Sequence, residues 1–183
     1  MRRKGTEAVA RVVVGVTGTP GSLTALHRAV AEARVRGTEL LAVLAWRSPG
    51  GELGGRGGCG PAVFAECRAA AADRLREALD AAFGAVRPCV AVGGLGIEGL
   101  TVRGTPGAAL VDVARDPDDL LVVGTGSRGA VRRLVRPSVA RYCLAHAPCP
   151  VLAVPPSPLQ AELAAVRRRN RLRMPLVLPE PTA

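Results

Sequence analysis

A glycine-rich segment, GTGSRG, occupies residues 124–129. Glycines in such a segment let backbone N–H groups approach a phosphate closely, and Arg128 adds a charged donor. The spacing is formally GxGxxG, the dinucleotide-binding fingerprint, which normally follows the first strand of a fold and has an acidic partner about 20 residues later. Residues 121–160 contain no Asp or Glu. The segment therefore predicts a phosphate or nucleotide site, but not a dinucleotide-dependent dehydrogenase.

Few other side chains have the chemistry that catalysis requires. The residues that close the predicted strands are Thr17, Trp46, Arg103 and Thr125, so no carboxylate stands there to hold a metal for phosphoryl transfer. The one lysine of the chain, Lys4, precedes the first strand, which argues against a Walker A loop and against Schiff-base chemistry. We therefore expect no catalytic residue, no metal and no enzymatic activity.

The histidines and one group of aspartates are predicted to be structural. His27 lies in a predicted helix and His146 just before the last strand, and neither has an acid and a nucleophile arranged about it. Asp116, Asp118 and Asp119 precede a strand at its amino end, which is the wrong edge for ligand binding in an α/β sheet. They are interpreted as a solvated loop.

Apolar runs and helical periodicities alternate along the chain. Continuous runs of β-branched residues and leucine, typical of strands buried on both faces, predict strands over 11–17, 39–46, 119–125 and 150–154. Helical spacing predicts helices over 23–36, 62–83, 108–115 and 138–145. A further strand lies at 88–92 or at 97–103. We favour 97–103, because GTPG follows it, with Thr105 as N-cap and Pro106 as the first helical residue, and repeats the strand–turn–helix pattern of residues 17–22.

This alternation predicts an α/β fold, a three-layer sandwich in which about four helices cover a doubly wound parallel sheet. Ligands bind such sheets beyond the carboxyl ends of the strands. The chain divides into a basic arm over 1–10, the α/β domain over 11–155 and a basic, proline-rich tail over 156–183.

The net charge of +10 is concentrated in the tails. Residues 1–11 carry four basic and one acidic side chain, and residues 157–183 carry five and two. The chain also has few aromatic residues that could stack on bases. We therefore do not expect nucleic acid as a partner, although the tail offers a docking segment for another protein.

The five cysteines have no CxxC spacing and no finger-type histidine set. Their odd number is typical of reduced thiols, and no apolar run reaches the roughly 20 residues of a membrane span. The basic start and short apolar run of residues 1–16 lack a small-residue cleavage pattern. These features predict a cytoplasmic location.

The segment that follows Gly129, AVRRLVRPSVARYCLAHAPCPVLAVP, completes a longer pattern. It resembles the universal stress protein family, whose nucleotide-binding members carry G-x-x-G, nine residues, G-S/T, a short helix, His-Ala-x-Cys-Pro-Val and the last strand. The resemblance covers about residues 11–155. It implies a five-stranded parallel sheet in the order 3-2-1-4-5, a homodimer that forms along the last strand (Val151, Leu152, Ala153 and Val154), and ATP or AMP bound over the motif.

Carried over one position at a time, the resemblance implies a nucleotide site with three departures from the family pattern. Seven residues, not nine, separate Gly129 from Pro137, and Pro137 replaces a glycine. Thr17 stands where binding members usually have an aspartate that holds the ribose and base. The predicted nucleotide-binding residues are Thr17, Gly18, Thr125, Gly126, Ser127, Arg128, Gly129, Ser138 and Val139.

Two functions follow as the main hypotheses, beside a third and less favoured one, nonspecific and salt-sensitive binding of nucleic acid by the basic tail. The first is a regulatory module that binds an adenine nucleotide at the loop after the fourth predicted strand. The alternative is a dimer of the same fold that has lost the nucleotide site and acts as a protein-interaction module.

Overall fold

A computed structural model describes residues 10–48, 60–84, 90–92, 95–125, 138–158, 162 and 166, with the backbone alone for 90–92. The strands are β1 (Val12–Gly15), β2 (Leu40–Trp46), β3 (Val90–Val92), β4 (Leu95–Arg103), β5 (Leu120–Gly124) and β6 (Val151–Val154). The helices are α1 (Pro20–Arg36), α2 (Pro61–Phe83), α3 (Pro106–Val113) and α4 (Val139–His146).

Five of the six strands in the described sheet are parallel, in the order β4-β2-β1-β5-β6. This is the order 3-2-1-4-5 of the predicted strands, so the α/β fold class and the sheet order are confirmed, and four helices pack on the sheet within the described residues. The preferred third strand, 97–103, is the parallel one. The other candidate also contributes a strand, because β3 pairs antiparallel with Leu95–Ile97 at the edge of β4.

The sheet is buried on both faces, as its continuous apolar strands require. Side chains alternate along each strand, so Val12 and Val14 contribute to the core that also contains Leu26 of α1 and Leu75 of α2. Val13 and its neighbours instead contribute to a second core, with Leu110 of α3 and Cys143 of α4. Two helices therefore cover each face.

Helix α1 begins earlier than its apolar spacing predicts, whereas α3 begins at Pro106 after the N-cap Thr105, as predicted. Thr19 and Thr105 are the N-cap residues, and Pro20 and Pro106 occupy the first helical positions. A proline fits there because its ring fixes φ near the helical value and its missing N–H would have no helical partner. The turn predicted over 18–22 is thus shorter, since the first turn of α1 takes up most of it.

The prediction of a solvated loop over residues 116–119 is wrong for Asp119. Its side chain is completely buried, its Oδ1 accepts a hydrogen bond from the Arg11 N–H at 2.9 Å, and its Oδ2 lies 3.9 Å from the Arg11 guanidinium. A backbone hydrogen bond joins the same two segments, because the Leu120 N–H donates to the Arg11 carbonyl at 2.9 Å. Asp119 therefore ties the entry of β5 to the entry of β1, while Asp118 stays exposed.

Candidate functional site

The strand order reverses direction between β1 and β5. From β1 the chain moves outward through β2 to β4, and it then crosses back to β5 and β6 on the other side. Such a reversal opens a crevice beyond the carboxyl ends of the two central strands, and ligands of open α/β sheets bind there. Residues 15–19, at the end of β1 and after it, lie on one side of this crevice. Gly124 and Thr125, at the end of β5, lie on the other.

The turn between β1 and α1 is held by its own hydrogen bonds. The buried Ser22 hydroxyl accepts from the Thr17 N–H at 3.3 Å and donates to the Thr19 carbonyl at 2.8 Å. Gly18 adopts φ +72°, the left-handed region that favours glycine. The exposed hydroxyls of Thr17 and Thr19 lie 2.9 Å apart. This turn therefore presents two neighbouring hydroxyls to solvent from a fixed backbone.

The amino terminus of α1 packs directly on the end of β5. A Cβ atom at Gly124 would lie 2.7 Å from the Gly21 carbonyl oxygen and 3.7 Å from the Ala25 Cβ. Among the described residues, no side chain makes a capping hydrogen bond at this helix start, whose N-cap is Thr19. The partial positive charge of a helix start thus lies beside the crevice, where it favours an anion.

On the other side of the crevice lies the end of β5, and the start of α4 lies at the same edge of the sheet. The Thr125 N–H donates to the Val154 carbonyl at 2.9 Å, which keeps Thr125 aligned with β6, and the residue itself is exposed. Ser138 is the N-cap residue of α4 and Val139 its first helical residue. Within the described residues the Ser138 hydroxyl makes no capping hydrogen bond, so the start of α4 does not occupy this donor.

The structure thus places five of the nine predicted binding residues at the carboxyl edge of the sheet: Thr17, Gly18, Thr125, Ser138 and Val139. The other four, Gly126, Ser127, Arg128 and Gly129, lie outside the described residues, as does Pro137. Sequence reasoning missed Gly21 and Ser22, which shape the turn and pack it against β5. Their only sequence signal is the small-residue cluster GTPGS at 18–22.

The thiols of the described residues do not fit nucleophilic chemistry at this site. Cys67, Cys143 and Cys149 are free, and the last two are buried. Burial, with a smaller effect of Cys149, raises the pKa of Cys143 to about 11. Burial and the charge of Asp119 raise the pKa of Cys149. Both thiols therefore stay protonated and unreactive near neutral pH.

The described ranges contain neither a cluster of metal ligands nor a helix that could span a membrane. Within them, no three His, Cys, Asp or Glu side chains come together as a metal site. Among the helices described there, none combines the length and apolar character needed to cross a bilayer.

Comparison with known proteins shows which family the chain resembles. Residues 9–155 match the model of the universal stress protein family. A universal stress protein solved in complex with cAMP is 28% identical, at a TM-score of 0.59, over 82% of this chain and 100% of that one. Universal stress protein UspA from Lactobacillus plantarum is 21% identical, at a TM-score of 0.55, over 80% and 97% of the two chains.

No curated protein matches the chain significantly. The family match spans all five parallel strands and the four helices that cover them, and it extends over most of the sequence. The chain therefore belongs to the universal stress protein family.

Proposed function

We propose that this protein is a regulatory module that binds an adenine nucleotide, ATP or AMP, in the crevice between the carboxyl ends of β1 and β5. The observation that carries the proposal is the contact of Gly124 with Gly21, which brings the uncapped start of α1 against the end of the strand that leads into the glycine segment. A solved relative at 28% identity is described as a complex with cAMP, which supports an adenine nucleotide as the ligand.

The described residues suit different parts of the nucleotide, according to their chemistry. The Thr17 and Thr19 hydroxyls can meet ribose hydroxyls, because they are exposed and held by the β1–α1 turn. The Ser138 hydroxyl and the start of α4 suit a phosphate, since a helix start favours negative charge. The glycine segment, with Gly126, Arg128 and Gly129, supplies the remaining donors in this proposal.

The protein acts by binding and not by catalysis in this proposal. The described strand ends supply neutral or cationic side chains, so a bound phosphate meets no carboxylate that would hold a metal there. The buried, protonated thiols fit the predicted cytoplasmic location, where cysteines stay reduced. The basic arm over 1–10 and the tail over 156–183 flank the domain in this scheme, and the tail is a docking segment for a protein partner.

Calorimetry with AMP, ATP and cAMP tests the nucleotide site, together with mass spectrometry of ligands released from freshly purified protein. Gly126→Asp and Arg128→Ala are expected to abolish or strongly weaken binding. Arg36→Ala is the matched control, because Arg36 is exposed at the carboxyl end of α1, on the opposite edge of the sheet. No heat at millimolar nucleotide and no change in thermal stability would show that the proposal is wrong.

That negative result would favour the second function, a protein-interaction dimer without a nucleotide. Its support is that Thr17 offers only a neutral group and that β6 lies at the edge of the sheet, with Val151, Leu152 and Ala153 half-buried. An edge strand can pair with a second copy, and a lysine there opposes such pairing. Ala153→Lys is therefore expected to give a monomer in light scattering, whereas Ala31→Lys on the exposed face of α1 leaves the dimer intact.

A further inference from the structure

A second concave surface lies one strand away from the crevice, at the carboxyl ends of β2 and β4. It is a cleft of about 340 Å³ lined by Trp46, Arg47, Cys67, Arg74, Gly104, Pro106 and three alanines. That volume falls at the small end of the range for small-molecule sites, about 300–1,000 Å³. The cleft faces α2, whereas the glycine segment leads to α4 on the other face of the sheet.

The cleft exists because α2 presents small side chains to the end of the sheet. Cys67, Ala70, Ala71 and Arg74 follow the i, i+3, i+4, i+7 spacing of one helix face, and the first three are too short to fill the gap. Across from them, the Gly104 N–H donates to the Trp46 carbonyl at 2.9 Å. This bond holds the β4–α3 turn against the end of β2.

The described lining of the cleft carries charge of one sign. Arg47 and Arg74 line it, and none of the described lining residues is acidic. Within the described residues no carboxylate lies within 4 Å of either guanidinium, whereas four arginines elsewhere, Arg11, Arg28, Arg76 and Arg115, each have such a partner. These two cations are therefore available to an anion that enters the cleft.

A third arginine is held at the same edge. Arg103 is paired with Trp46 in the β2–β4 register, and its guanidinium lies 4.6 Å from the centre of the Phe64 ring on α2. The ring face attracts the cation and limits its motion. The half-buried Trp46 side chain adds an apolar wall to the cleft.

We propose that this cleft binds the phosphate group of a small molecule, with Arg47 and Arg74 donating to the phosphate oxygens beside Trp46. The guanidinium fork matches a phosphate in two-point hydrogen bonding. Inorganic pyrophosphate and the phosphates of a nucleotide offer the same chemistry. The proposed phosphate site does not use the glycine segment. The proposal therefore holds whether or not the crevice binds a nucleotide.

Trp46 is the one tryptophan of the chain, so its fluorescence reports on this cleft. Pyrophosphate and AMP are titrated separately at constant ionic strength, with excitation at the red edge of indole absorption, where adenine does not absorb. We expect a saturable change whose half-saturation concentration rises about tenfold in Arg47→Gln and in Arg74→Gln, the scale of one charge-assisted hydrogen bond. Tighter binding of AMP identifies a nucleotide as the source of the phosphate, and tighter binding of pyrophosphate identifies the free anion.

Arg76→Gln is the matched control, because Arg76 lies on the same helix, is exposed, and pairs with Asp73 outside the cleft. It is expected to behave as wild type. A second measurement is maleimide labelling of Cys67, located by peptide mass spectrometry, which bound pyrophosphate should slow in wild type and not in Arg74→Gln. No saturable change at millimolar ligand overturns the proposal, as does a response that Gly126→Asp removes and Arg74→Gln retains.

Discussion

A Cβ atom at Gly124 would lie 2.7 Å from the carbonyl oxygen of Gly21. The last residue of β5 and the first turn of α1 are therefore in direct backbone contact, across the point where the sheet reverses its strand order. This contact fixes the positive end of α1 beside the crevice in which we propose that a nucleotide binds.

Gly124→Ala is expected to lower the free energy of unfolding by about 1–3 kcal/mol, because a backbone atom must move to admit the methyl group. Denaturant unfolding measures the change. Gly96→Ala is the matched control, since its Cβ would meet nothing within 4 Å and its φ lies outside the left-handed region. The control should stay within about 0.5 kcal/mol of wild type. Equal effects of both substitutions would contradict the close contact.

The alternation of strands and helices could be predicted because parallel strands covered on both faces have continuous apolar runs. Strand β3 could not be predicted with certainty. It has three residues and pairs with the start of β4, too short a stretch for its periodicity to separate it from a loop.

At both ends of β5, the structure depends on contacts that the sequence does not display. Asp119 is buried because Arg11, 108 residues earlier, supplies its hydrogen-bond donor. In the same way, the glycine at position 124 is visible in the sequence, but the backbone it contacts belongs to another element. Patterns within one segment predict elements, whereas pairing between distant segments decides which polar groups are buried.

Asp119→Ala is expected to destabilise the fold by about 1–3 kcal/mol, since the Arg11 N–H would lose its acceptor where water has little access. Thermal or denaturant unfolding tests this expectation. Asp118→Ala provides the comparison, because Asp118 is adjacent and exposed, and its effect should stay within about 0.5 kcal/mol. If the two variants were equally stable, the buried contact would have no energetic weight.

The stability of the protein should decline in alkali as the Cys143 thiol is forced to ionise. Its pKa in the folded protein is raised to about 11 from an ordinary value of 9.0, mainly by burial. The unfolded chain therefore releases this proton first, so the stabilising contribution is complete below pH 9 and is lost as the pH rises towards 11. Unfolding midpoints measured across this range should fall less steeply for Cys143→Ala than for wild type. Parallel curves would show that the thiol does not carry the effect.

Thr17→Asp is expected to strengthen binding of a nucleotide through its ribose. Thr17 is exposed, its N–H is already bonded to the Ser22 hydroxyl, and the start of α1 beside it favours a carboxylate. A carboxylate accepts hydrogen bonds from ribose hydroxyls more strongly than a threonine does, so the Kd for AMP should fall by about tenfold. The dideoxyribose analogue of AMP should gain nothing, because it lacks those hydroxyls and retains the repulsion between carboxylate and phosphate. Thr17→Asn offers a hydrogen-bonding side chain without a charge. Its Kd for AMP should therefore lie between those of wild type and Thr17→Asp. An equal gain for AMP and its dideoxy analogue in calorimetry would mean that position 17 does not face the ribose.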